Sequence, residues 1–87
     1  MDSEPIVVDA RGLACPQPVI ELARAVDGKP PGTIATVWCT DTAARYDVPA
    51  WARLTGHEFV GEEPVSSSGA SEKETDGQAF ALSVRLR

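Results

Sequence analysis

The chain passes from a strand into a helix within the segment Asp9-Ala10-Arg11-Gly12-Leu13-Ala14-Cys15-Pro16-Gln17-Pro18. The β-branched run Ile6–Val8 comes just before it and is typical of a short buried strand. Gly12 gives the backbone freedom to turn, and the two prolines are compatible with the first turn of a helix, where no intrahelical hydrogen bond is lost. The segment therefore predicts a strand, a tight loop, a cysteine at the start of a helix, and then the helix.

A cysteine at the start of a helix is expected to be reactive. If Cys15 is the N-cap, Pro16 and Pro18 take the first and third helical positions, and the N–H of Gln17 is the nearest donor to a thiolate. This donor and the positive end of the helix dipole favour the ionised form, which predicts a lowered pKa for the thiol. Arg11 in the same loop is a candidate for a further positive charge, with a solvated loop residue as the alternative.

The remaining chain predicts one further helix and three further strands. The apolar residues of the first helix recur at helical spacing up to Val26, and residues 33–39 form a second strand. A strand, a helix and a strand in that order predict a parallel pair, which brings the end of the second strand to the edge that holds the Cys15 loop. Asp47 is predicted to cap a second helix that ends at about Thr55, before Gly56.

Within that second helix, Trp51 and Leu54 lie at helical spacing and are predicted core residues. Residues His57 to Gly61 are expected to begin a third strand. A fourth strand, residues 79–86, alternates cleanly, so its four large apolar side chains should share one face. These are Phe80, Leu82, Val84 and Leu86.

Composition predicts one small domain over residues 1–87, with a loose tail at 1–4 and a mobile hairpin loop at 63–78 that is rich in Ser, Gly, Glu and Asp. There is no membrane-length apolar run and no signal-peptide pattern, which favours a cytoplasmic protein without membrane contact. Two cysteines cannot make a disulfide framework. The net charge of −5 argues against direct nucleic-acid binding and favours protein partners with basic docking faces.

Two motifs resemble one known family. The run Gly12-Leu13-Ala14-Cys15-Pro16-Gln17-Pro18, with Asp9 before it, is similar to the signature of the TusA/SirA-like sulfur carriers, which is Cys-Pro-any-Pro at the start of the first helix. Asp41, the run Asp47-Val48-Pro49-Ala50-Trp51, and Gly56-His57-Glu58 are similar to the second-helix region of the same family. The resemblance covers about residues 6–62 and the closing strand.

The resemblance implies an α+β fold, a two-layer sandwich of order β-α-β-α-β-β in which two helices cover one face of a mixed four-stranded sheet. It also implies that Cys15 accepts sulfane sulfur as a persulfide from a cysteine desulfurase or a rhodanese and relays it to an acceptor protein, with no cofactor and no metal. The supporting motif residues are Arg11, Gly12, Pro16, Gln17 and Pro18. The motif is shared by relatives that serve tRNA thiolation, cofactor assembly, sulfur oxidation or selenium metabolism.

The sequence is consistent with several alternative roles for its residues. Cys39 is either a core residue at a strand end or a second thiol that forms a redox switch with Cys15. A non-enzymatic regulatory or interaction module would keep the fold without using Cys15, and a selenium carrier would differ only in the chalcogen delivered. Asp41 is either a simple cap or a carboxylate near the thiol, where its charge disfavours the thiolate. Structural hydrogen bonding is the expected role of His57. A thioredoxin motif is excluded because the fourth position of the Cys-x-x-Cys pattern is Pro18.

Overall fold

The structure, a computed structural model, describes residues 4–65 and 79–87, and its elements follow the predicted order. The elements are β1 (Ile6–Ala10), α1 (Gln17–Val26), β2 (Ile34–Cys39), α2 (Ala44–Thr55), β3 (Glu58–Pro64) and β4 (Phe80–Arg85). Neither helix of these described ranges has the length and apolar character needed to cross a bilayer.

The four strands form one mixed sheet in the order β1-β2-β4-β3. β1 runs parallel to β2, with Ala10 opposite Cys39, as the strand-helix-strand order predicts. β4 is antiparallel to both of its neighbours, and β3 has an irregularity between Phe59 and Gly61. The helices contact each other and pack on the sheet, so the predicted α+β sandwich is confirmed.

The core lies between the helices and one face of the sheet. Alternate residues of β2 and β4 are buried there, and the predicted shared face of β4 is confirmed. The buried side chains from the sheet are Ala35, Val37, Cys39, Phe80, Leu82 and Val84, with Leu86 beyond the strand end, and those from the helices are Leu22, Val26, Ala44, Val48 and Ala52. Full burial of each large aliphatic side chain stabilises the fold by about 1.5–3 kcal/mol.

Helix α2 begins earlier than predicted. Its first residue is Ala44, and Asp47 lies within its first turn instead of capping it. Asp41 explains the earlier start, because its Oδ1 accepts the N–H of Ala43 at 3.0 Å and turns the chain into the helix. The predicted stop at Gly56 is confirmed, since this residue closes the helix in a left-handed conformation with φ of 86°.

The predicted core position of Leu54 is wrong, because this side chain is 86% exposed. The buried residues of α2 are four apart, at Ala44, Val48 and Ala52, and Leu54 follows Ala52 by two positions, which places it on the far side of the helix. Trp51 is half-buried and packs against the core.

The third strand is longer than predicted. β3 continues to Pro64, which is paired with Phe80, so Glu63 and Pro64 are strand residues and not the start of a loop. Cross-strand pairing with β4 accounts for this extension. The polar composition of the segment predicted a loop instead. Residues 66–78 of the predicted loop and residues 1–3 of the predicted tail lie outside the described residues.

Candidate functional site

The loop that carries Cys15 connects β1 to α1 at the edge of the sheet where β1 and β2 both end. Gly12 turns this loop with φ of 84°, a left-handed conformation that favours glycine. The N–H of Gly12 donates to Oγ1 of Thr40 at 2.9 Å, and the N–H of Leu13 donates to the carbonyl of Ala10 at 3.2 Å. These bonds anchor the loop to both strand ends.

Arg11 is paired within its own segment. Its Nε and Nη2 donate to the two carboxylate oxygens of Asp9, each at 2.8 Å, and its guanidinium lies 5.0 Å from the ring centre of Trp38. The guanidinium lowers the pKa of Asp9 through these hydrogen bonds. The prediction that Arg11 adds a positive charge beside the thiol is therefore not supported, because its guanidinium forms an ion pair with the carboxylate of Asp9.

The first helix begins one residue later than predicted. α1 starts at Gln17 with Pro16 at the cap position, so Cys15 lies just outside the helix, and the Cys15–Pro16 peptide bond is cis. The N–H of Gln17 donates to the carbonyl of Ala14 at 2.8 Å. The predicted bond from Gln17 to the Cys15 sulfur is wrong, because the backbone of the preceding turn takes this donor. Pro18 is buried under the first turn.

Two carboxylates from beyond β2 reach Cys15. Oδ2 of Asp41 accepts the backbone N–H of Cys15 at 2.8 Å, while its other oxygen accepts the N–H of Ala43. Asp47, in the first turn of α2, accepts a hydrogen bond from the Cys15 thiol through its Oδ2. The thiol is partly buried by these contacts and remains partly exposed.

The surroundings of Cys15 raise the pKa of its thiol. The hydrogen bond to Asp47 is the main cause, followed by burial and by the negative charges of Asp47 and Asp41. The lowered pKa predicted from the helix dipole is thus wrong, because the hydrogen bond to Asp47, burial and the two negative charges all raise the pKa. The N–H groups of Cys15 and Ala43 lower the pKa of Asp41, which keeps its charge in place.

Cys39 occupies a different environment. Its side chain at the end of β2 is 0% exposed, and burial, with a smaller contribution from the charge of Asp41, raises the pKa of its thiol to about 11. His57 has a structural position, as predicted, because its Nδ1 accepts the N–H of Arg87 at 3.1 Å and its ring lies 5.4 Å from that of Trp51. Within residues 4–65 and 79–87, no group of three or more acidic, histidine or cysteine side chains is arranged to hold a metal ion.

Sequence reasoning found one of the two carboxylates beside the thiol. One of its alternatives placed Asp41 near the thiol, and this is confirmed, because Asp41 accepts the backbone N–H of Cys15 from 26 residues away. Asp47, which is 32 residues away, was assigned only as a helix cap, and its bond to the thiol was missed. The signal for both is the parallel pairing of β1 with β2, which places the segment after β2 beside the Cys15 loop.

Together, these features define a two-layer α+β domain that presents one partly exposed thiol, bordered by two carboxylates, at a sheet edge. The model of the family "Sulfurtransferase TusA" matches residues 6–70, and the chain belongs to this family.

Individual relatives agree with the family model. The chain is 38% identical over 73 residues to the sulfur carrier protein TusA of Pseudomonas syringae pv. tomato, which covers 76% of this chain and 87% of that protein. It is 40% identical over 58 residues to YrkF of Bacillus subtilis, a match that covers 67% of this chain and spans only 31% of that longer relative.

A solved structure has the same fold. The SirA-like protein of Desulfitobacterium hafniense superposes with a TM-score of 0.65 at 23% identity, covering 92% of this chain and 95% of that one. At this level of identity the likeness establishes the architecture alone.

Proposed function

We propose that this chain is a sulfur carrier in which Cys15 accepts sulfane sulfur from a donor protein, holds it as a persulfide, and passes it to an acceptor protein. The observation that carries the proposal is the placement of Cys15 on a partly exposed loop, since an outer sulfur must be within reach of two successive partners. Membership of the sulfurtransferase family supports the same chemistry.

The reaction needs only the thiol and a partner. The Cys15 sulfur attacks the outer sulfur of a donor persulfide, the bond between the donor's two sulfurs breaks, and the proton of Cys15 passes to the donor sulfur that leaves. Release follows the same steps in reverse order with an acceptor thiolate as the attacking group. Neither direction involves net oxidation, so no cofactor is required, and turnover depends on partner proteins at both ends.

Proteins are the partners that this surface suits. The net charge of −5 and the carboxylates beside Cys15 favour docking faces that carry Lys and Arg. A cysteine desulfurase or a rhodanese is the proposed class of donor, and the acceptor is the next sulfur carrier or sulfur-using enzyme of a relay.

The proposal is tested by mass spectrometry after incubation with a cysteine desulfurase and cysteine. We expect a gain of one sulfur on the peptide that contains Cys15, which is lost in Cys15→Ser and kept in Cys39→Ser. The Cys39 variant is the matched control, because it removes the second thiol from a site without solvent exposure.

Two other results would replace the proposal. No sulfur gain from the desulfurase or from a low-molecular-weight persulfide, with Cys15 still open to alkylation, would favour a non-enzymatic interaction module. An intramolecular disulfide that requires both cysteines would favour a redox switch, although the buried position of Cys39 argues against easy access to that thiol.

A further inference from the structure

The bond between Cys15 and Asp47 can form in only one state of the proposed carrier. In the empty state the Cys15 sulfur has a proton, which it donates to Oδ2 of Asp47. In the persulfide the same sulfur is bonded to its Cβ and to the outer sulfur, so no proton remains for Asp47 to accept. An ionised outer sulfur would also be repelled by the carboxylate.

We propose that Asp47 is a positioning residue that stabilises the empty carrier relative to the loaded one and thereby favours release of the sulfur. The inference rests on the proposed function, because it concerns the two states of the same cysteine. It assigns a role to a side chain of α2 that the Cys-Pro-Gln-Pro motif does not contain.

Asp41 provides the contrast that makes the assignment specific. It also forms a hydrogen bond with Cys15, but its Oδ2 accepts the backbone N–H of Cys15 and not the thiol. That N–H is present whether or not the sulfur is loaded. Asp41 therefore holds the loop in both states, whereas Asp47 distinguishes between them.

The exchange can be followed with glutathione persulfide as the sulfur source. The Cys15 thiol and glutathione persulfide give the Cys15 persulfide and glutathione, so one S–S bond breaks, one forms, and the thiol proton moves to glutathione. At equilibrium the ratio of loaded to empty protein, at a fixed ratio of glutathione persulfide to glutathione, measures the relative stability of the two states.

The experiment measures this ratio by intact-protein mass spectrometry for the wild type, Asp47→Asn, Asp41→Asn and Asp27→Asn. We expect Asp47→Asn to raise the ratio by roughly fivefold to tenfold, because the acceptor of the thiol proton loses its charge, which weakens a hydrogen bond of the empty state and removes the repulsion of an ionised outer sulfur in the loaded state. Asp41→Asn and Asp27→Asn should each change it by less than about twofold. Asp27 lies at the other end of α1 and controls for the change in net charge.

Each alternative outcome has a definite meaning. A wild type that loads, together with an unchanged ratio in Asp47→Asn, overturns the inference alone, and so does an equal increase in Asp41→Asn. No loading in any variant overturns the proposed function as well. Should Asp47→Asn fail to fold, Asp47→Ala removes both the charge and the acceptor with a residue that favours the helix, and an increase at least as large is expected.

Discussion

Cys15 and Cys39 are the same residue type in two surroundings, and both have a raised pKa for different reasons. Cys15 lies on a partly exposed loop, and its pKa is raised mainly by a hydrogen bond to one carboxylate. Cys39 ends a central strand, where burial raises its pKa to about 11. The hydrogen bond that raises the pKa of Cys15 would be lost if a partner paired with Asp47. The burial that raises the pKa of Cys39 persists as long as the protein is folded. Thiol reactivity here depends on which cause can be removed.

The largest expected effect is a difference in alkylation rate between the two thiols, which follows from their different exposure to solvent. Iodoacetamide at pH 8 should modify Cys15 at least about a hundredfold faster than Cys39 in the folded protein, because Cys39 reacts only after local or global unfolding exposes it. Peptide mass spectrometry at successive times measures both rates. Unfolding in denaturant is the control and should make the rates similar. Equal rates in the folded protein would contradict the difference in exposure between Cys15 and Cys39.

Replacement by serine should reduce the free energy of unfolding at one of the two cysteine positions and not at the other. Cys39→Ser places a hydroxyl in an apolar core and should reduce the free energy of unfolding by about 1–3 kcal/mol. Cys15→Ser should leave the urea midpoint nearly unchanged, because this side chain lies in a partly exposed loop and a hydroxyl can still donate to Asp47. Urea unfolding followed by circular dichroism measures both. A larger loss in Cys15→Ser than in Cys39→Ser would show that the loop contributes more to stability than the strand end.

The pH dependence of alkylation should show that Asp47 raises the pKa of the Cys15 thiol. Because Asp47 stabilises the protonated thiol, the alkylation rate of Cys15 should reach its midpoint above the ordinary thiol pKa of about 8.5. Asp47→Asn should lower this midpoint and increase the rate at pH 7, and Asp27→Asn is the charge-matched control. The folded state binds this proton more tightly than the unfolded state, so the associated stability is present below the unfolded pKa and is lost as the pH rises through the folded one.

The smallest expected effect concerns the anchor of the Cys15 loop. The pKa of Asp41 is lowered by the N–H groups that it accepts, so its stabilising effect is present above its ordinary pKa and is lost as the pH falls through the lowered value. The melting temperature of the wild type should therefore fall in acid, and Asp41→Asn should weaken that dependence slightly. Thermal unfolding between pH 7 and pH 3 measures both slopes. Identical slopes would indicate that the anchor has no energetic role.

The order of elements could be predicted from the sequence because it depends on local patterns. Alternation in β4 and the αL glycine after α2 are properties of short segments, and both predictions were correct. The start of α2 was mispredicted because it depends on the N–H of Ala43 donating to Asp41, which lies before the helix. The exposure of Leu54 was mispredicted because it depends on which helix face meets the sheet, and Val48 and Ala52 are on that face.

The site was predictable only in part, for a related reason. The motif identified Cys15 as the candidate thiol, but the predicted sign of its pKa change depended on the helix end, Gln17 and Arg11, and Asp41 was left as one of two alternatives. Asp41 and Asp47 approach through the parallel pairing of β1 and β2, and the hydrogen bond to Asp47 is the main cause of the raised pKa. Reliable prediction of such a shift needs the tertiary contacts.

The central position of β4 has a consequence for the order in which the protein is made. β4 follows β3 in the sequence, yet it lies between β2 and β3, so the four-stranded sheet cannot be completed until the ribosome has synthesised residues 80–85. The Cys15 loop is synthesised well before that strand, so it is exposed before the complete fold holds its carboxylate partners around it. Until then its thiol has the pKa of a cysteine in an unfolded chain, which is below the raised pKa that it has in the folded protein.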